Sequence, residues 1–95
     1  MIDRVFPQDL NAKLDYVFDW EPWLDDQADT IASYVVTAAS GLTVTTSSNT
    51  SLTVTIWITI DSGVRKGQLL TLACKITTAA GRIDERTITI RATQL

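Results

Sequence analysis

Over residues 69–92 hydrophobic and polar positions alternate twice. Leu70, Leu72, Cys74 and Ile76 occupy every second position, with Leu69, Thr71, Ala73, Lys75 and Thr77 between them. Ile88, Ile90 and Ala92 then share one parity, opposed by Thr87, Thr89 and Arg91. A period of two is what a strand with one buried face requires, because successive side chains leave opposite faces of the pleat. The connection Thr78-Ala79-Ala80-Gly81-Arg82 holds a glycine able to take the positive φ of a tight reversal. The stretch predicts a β-hairpin with one aliphatic face, a scaffold without chemistry of its own.

The cleanest run elsewhere is residues 52–60. Leu52, Val54, Ile56, Ile58 and Ile60 make an aliphatic row, and Ser51, Thr53, Thr55, Trp57 and Thr59 make the other face. Trp57 is out of character there, since a large indole in a threonine row must be covered or left wet. Residues 13–20 set Leu14, Tyr16, Phe18 and Trp20 against Asp15, Val17 and Asp19. Pro22, with no N–H to donate, stops that ladder ahead of the apolar pair Trp23-Leu24. Residues 30–39 are rich in β-branched side chains but ambiguous in parity: Ile31, Ser33 and Val35 compete for the inward face with Ala32, Tyr34 and Val36. Ser40-Gly41 turns the chain, Leu42-Thr43-Val44 begins a short strand, Ser47-Ser48-Asn49 is a turn cluster, and residues 61–68 form a polar loop.

No segment carries a helical period, and turn signals recur about every ten residues, as in small antiparallel sandwiches. The fold class predicted is all-β: an immunoglobulin-like antiparallel β-sandwich of about six to seven strands, without the cysteine pair of antibody domains. Val54, Ile56, Ile58, Leu70, Leu72, Cys74, Ile76, Ile88 and Ile90 are expected to be buried together between its sheets. Residues 1–12 are assigned to an irregular N-terminal arm and residues 13–95 to the single sandwich domain. The arm contains Pro7 and lacks a period, yet Ile2, Val5, Phe6 and Leu10 are too apolar for a solvated tail. They are expected to pack on a neighbouring subunit at assembly; the competing reading folds the arm back over Trp57 of its own domain.

Composition narrows the function by exclusion. Hydrophobic content of 45% with 20% charged residues is that of a folded domain. No apolar stretch is long enough to span a membrane, and the N-terminus lacks the pattern of a signal peptide. One cysteine cannot close an intrachain disulfide, which fits a chain made in the cytoplasm and folded without staples. The net charge of −3 divides unevenly: residues 1–30 hold eight acids and two bases, whereas residues 31–95 hold three acids and six bases. Two surfaces of opposite sign, or an attraction within the molecule, would each account for it.

Catalytic chemistry finds no constellation. Histidine is absent, and with it the commonest general base and metal ligand. The acidic run Asp25-Asp26-Gln27-Ala28-Asp29 lacks the glycine and the bidentate glutamate of a calcium loop, and reads as a solvated turn. Asp84 and Glu85 point to opposite faces of a strand, while Arg82, Asp84 and Arg86 read as an exposed charge ladder. Ser62 and Lys66 share only a loop, and Cys74 has the inward parity of a small apolar filler. The bases are scattered without the aromatic row that stacks on nucleic acid. No enzyme activity, cofactor, metal, nucleic acid or membrane partner is expected.

Several short pieces carry a family likeness. They are D-W-x-x-W-L (Asp19, Trp20, Trp23, Leu24), D-T-I-x-S (from Asp29 to Ser33) and G-L-T-V (from Gly41 to Val44). The pair Ile56-Trp57 and I-T-T-x-x-G-R-x-D-x-R (from Ile76 to Arg86) follow. In this order and spacing, over residues 16–91, the chain resembles the small virion proteins of tailed phages called fibre–tail adaptors. The loop with Val64-Arg65-Lys66 departs from the glycine-rich connection associated with that family. The resemblance implies a virion protein of the tail or neck, made in the host bacterial cytoplasm. It further implies a role joining a fibre or other appendage to the tail, as a homo-oligomer around a symmetry axis, in contact with tail, neck, portal or fibre subunits.

The residues expected to meet such partners are Ile2, Val5, Phe6, Leu10, Trp23, Trp57, Arg65 and Lys66. Two other roles compete with the adaptor: a capsid decoration protein on the head, and a carbohydrate-binding sandwich with Trp23 or Trp57 stacked on sugar rings. A covered Trp57 favours assembly, and a bare indole beside a polar cleft favours sugar.

Overall fold

The alternating runs become strands. The computed structural model describes residues 4–93 and contains, in chain order, β1 (Arg4–Asp9), β2 (Lys13–Asp19), a short helix α1 (Glu21–Asp25), β3 (Ile31–Ala38), β4 (Leu42–Asn49), β5 (Thr53–Ile60), β6 (Leu69–Thr78) and β7 (Ile83–Thr93). A four-stranded sheet runs in the order β1-β7-β6-β3, and a three-stranded sheet in the order β2-β5-β4. All pairings are antiparallel except β1 with β7, which is parallel.

The two inner faces meet in one core. Phe18, Val54, Ile56, Ile58 and Ile60 come from the smaller sheet, and Leu70, Leu72, Cys74, Ile76, Ile90 and Ala92 from the larger. Every predicted core position is buried except Ile88, which is half-buried opposite the start of β1. The fold is therefore a two-layer, mostly antiparallel β-sandwich.

The irregular arm is corrected. Residues 4–9 are a strand of this domain's own sheet, with Phe6 beside Ile90 and Gln8 beside Ala92 in the register. Inward Phe6 meets Tyr16 edge-on at 5.5 Å between ring centroids. Gln8, 1% exposed, donates from Nε2 to the Ala12 carbonyl at 3.0 Å and accepts from the Tyr16 hydroxyl at 3.0 Å. The run has a period of two, but its inward positions pair an aromatic with a glutamine. A glutamine reads as solvent-exposed until its hydrogen-bond partners are known.

The ambiguous parity of β3 has a physical origin. Its register with β6 shifts between Ile31 and Ser33, so one residue is extra. Ile31 is buried before the bulge, and Tyr34, Val36 and Ala38 face inward after it. A bulge of this kind moves a strand from one parity to the other. A second lies in β4 between Val44 and Thr46.

Helix α1 is a further departure from the expected all-strand chain. The Glu21 N–H donates to Asp19 Oδ1 at 2.8 Å, Pro22 occupies the first turn where its missing N–H costs nothing, and Leu24 is fully buried as the anchor. Ala28, at φ 49°, then takes a left-handed conformation as the chain leaves for β3.

Strand directions gather the connections at two ends. One end holds the turns at residues 10–12 and 39–41 and the loop 61–68; the other holds residues 20–30, 50–52 and 79–82.

Candidate interaction surface

At the α1 end, residues distant in sequence form a clamp. Trp20, the residue that precedes α1, is fully buried and stacked on Phe18 with ring centroids 5.9 Å apart. Its indole N–H donates to Asp84 Oδ2 at 2.8 Å. The Arg86 guanidinium lies over the indole, 4.9 Å from the ring centroid, and donates to the Asp19 carbonyl at 2.6 Å. Its Nε is 3.5 Å from the same Asp84 oxygen. The face of Trp20 therefore carries a cation while its edge carries an anion, each matched to the ring's own charge distribution.

A second clamp sits beside it. Asp29 is buried, and Arg82 Nη1 reaches its Oδ2 at 2.9 Å. The Thr30 and Ala80 N–H groups donate to Oδ1 at 2.9 and 3.2 Å. Hydrogen bonds, the Thr78 hydroxyl foremost, hold the carboxyl down at about 2 against the opposing pull of desolvation. The acidic run was expected to be a solvated turn; its last residue is instead a buried hydrogen-bond hub. The expected exposed ladder of Arg82, Asp84 and Arg86 is likewise corrected, since all three reach back to residues 19–29. Sequence reasoning missed both clamps because their halves lie more than fifty positions apart.

The residues expected to bind partners are not brought together. Ile2 lies outside the described residues. Val5 is exposed on the outer face of β1, whereas Phe6 and Leu10 are half-buried and pack within this domain. Trp23 is half-buried against the core from α1. Trp57, 38% exposed, stands on the outer face of the central strand β5, in register with Asp15 and Thr46. Arg65 and Lys66 are exposed in the loop at the end opposite α1. Exposed Glu21, Asp25 and Asp26 occupy the α1 end, away from Arg65 and Lys66, while Asp29 and Arg82 neutralise each other within the chain.

No described group is poised for covalent chemistry. Cys74 is fully buried, and desolvation, aided by Glu85, pushes its thiol up to about 12. Among the described residues no cluster of three or more histidine, cysteine, aspartate or glutamate side chains is arranged to hold a metal ion. What the geometry offers is contact surface: two outer sheet faces rich in threonine, and charged loops at both ends.

No curated protein sequence matches the chain significantly. A family model described as Podophage GP4 fiber-tail adaptor protein gp77 matches residues 8–91. That span takes in both halves of each clamp, from Asp19 and Trp20 to Asp84 and Arg86, and from Asp29 to Arg82. The chain belongs to the Gp77 family of podophage fiber-tail adaptor proteins.

Proposed function

We propose that the protein is a structural component of a tailed-phage virion, an adaptor that joins a fibre or other appendage to the tail or neck. The family match over residues 8–91 carries this reading. The fold supports it: clamps at one end, a charged loop at the other, and outer sheet faces between them suit a body that is held from several sides. If β1 to β7 take the letters A to G, the sheets become A-G-F-C and B-E-D. This order supports an immunoglobulin-like reading in which the first strand has moved onto G.

In the particle the protein acts as a homo-oligomer around a symmetry axis and touches virion proteins, with no nucleic acid or membrane partner. Val5, Trp57, Arg65 and Lys66 are the exposed candidates for those contacts. A sugar-binding role draws less support, because Trp57 stands on the outer face of a central strand among threonines.

The test is a phage lacking this gene, with the chain supplied in trans or withheld. Particles made without it should have DNA-filled heads and lack the fibre or appendage, and complementation should restore it. Particles that keep every appendage but lose head stability would transfer the role to capsid decoration.

A further inference from the structure

Every residue from Thr30 to Ile60 is uncharged, and this run supplies β3, β4 and the central strand β5. β3 and β4 end their sheets on the same side, where the Tyr34 and Ser47 hydroxyls hydrogen-bond at 2.8 Å. One flank of the sandwich thus carries no charge along either edge strand. The opposite flank is guarded by Pro7 in β1 and by exposed Lys13, Asp15 and Asp19 in β2, the devices that keep natural edges from pairing.

β3 is the more receptive of the two open edges. Beyond its bulge, Ser33 to Ala38 keep unbroken register with β6 and read S-Y-V-V-T-A, with Val35 59% exposed. The Ala39 N–H donates to the Thr71 carbonyl at 2.9 Å. Antiparallel alternation then turns the backbone groups of Ser33, Val35 and Thr37 toward β6, and those of Tyr34, Val36 and Ala38 away from it. Among the described residues no strand lies beyond β3. A proline-free, uncharged edge of strong β-formers is a template for another strand.

We propose that β3 pairs antiparallel with β3 of a second copy across a two-fold axis, through the outward backbone groups of Tyr34, Val36 and Ala38. The lack of charge selects this occupant. A two-fold contact brings the same surface of both copies together, so a charged patch repels itself there and an uncharged one does not. A different chain would gain specificity from complementary charge, and this flank offers it none. The nearest cation on the sheet's outer face, Lys75, already stands opposite Glu85. With the axis at Val36, Val36 meets the partner's Val36 and Tyr34 meets the partner's Ala38, joining two four-stranded sheets into one. This deepens the self-association in the reading above, and its test uses the isolated chain, so its failure leaves the particle experiment untouched.

Light scattering across a concentration series should show the mass rising from 10.5 kDa toward twice that value. In the concentrated sample the amides of Tyr34, Val36 and Ala38 should exchange more slowly than in the dilute one. Val35→Lys, at an exposed site, should abolish the dimer while leaving the dilute melting midpoint unchanged. Ala38→Pro, which removes an outward N–H, should also abolish the dimer. A monomer at every concentration would overturn the proposal. So would a dimer that survives both substitutions, or one whose three amides exchange as fast as in dilute solution.

Discussion

Asp29 shows at the residue scale how a surface-looking acid becomes structural. Its folded carboxyl titrates at about 2, below the ordinary value of 3.8. The sign follows from linkage: a depressed carboxylate contributes stability that is fully present above its unfolded pKa and is lost as pH falls through the folded one. Acid titration of the melting midpoint should therefore show a loss between about 3.8 and about 2 that Asp29→Asn lacks. A wild-type midpoint that is flat across that window, with the variant unchanged, would remove Asp29 from the clamp. Cys74 gives the second residue-scale prediction. Buried, with its thiol held protonated, it should resist alkylation in the native state and react only on unfolding. Rapid labelling without loss of structure would place it outside the core. The parity of Cys74 was legible because its strand alternates without a break. The place of Asp29 was not, because Arg82 lies fifty-three positions away and only the fold brings it near.

Among the elements, legibility tracked regularity. β5, β6 and β7 carry long period-two rows, and their faces follow directly. Ile56→Ala, at a fully buried position in β5, should cost about 2–5 kcal/mol in chemical denaturation. β3 was ambiguous because a bulge divides it into two parities, and no residue type announces a bulge. β1 was hidden by Pro7 and by the inward Gln8, whose partners come from β5 and from residues 12 and 16. Its pairing reverses an expectation about the arm. Deleting residues 1–11 should lower the melting midpoint of the isolated chain substantially, because it strips an edge strand from the larger sheet. An unchanged midpoint would mean that β1 adds nothing to the fold. Gly41 tests the turn between β3 and β4. At φ 107° a Cβ would meet Leu70 Cδ2 and Val64 Cγ2 at 3.0 Å, so Gly41→Ala should destabilise through both strain and crowding.

The whole molecule is an elongated body, 42 × 25 × 19 Å, whose two ends and two flanks differ in charge. Of the acids in the first thirty residues, Asp29 is buried as a hub and Glu21, Asp25 and Asp26 are exposed at the α1 end, whereas the basic loop with Arg65 and Lys66 lies at the far end. A body with unlike ends, braced by clamps between distant segments, suits the adaptor role proposed above. Such clamps stiffen the connections where a sandwich is otherwise most mobile. None of this polarity shows in the net charge of −3. The function proposed above builds this sandwich into the virion between tail and appendage. A cryo-EM reconstruction of the intact particle tests it most directly. Density for a two-layer, seven-stranded body is expected at the junction of fibre and tail, touching neighbours through its exposed faces and end loops. Density for the chain on the head shell, or purified particles that lack it altogether, would contradict the account.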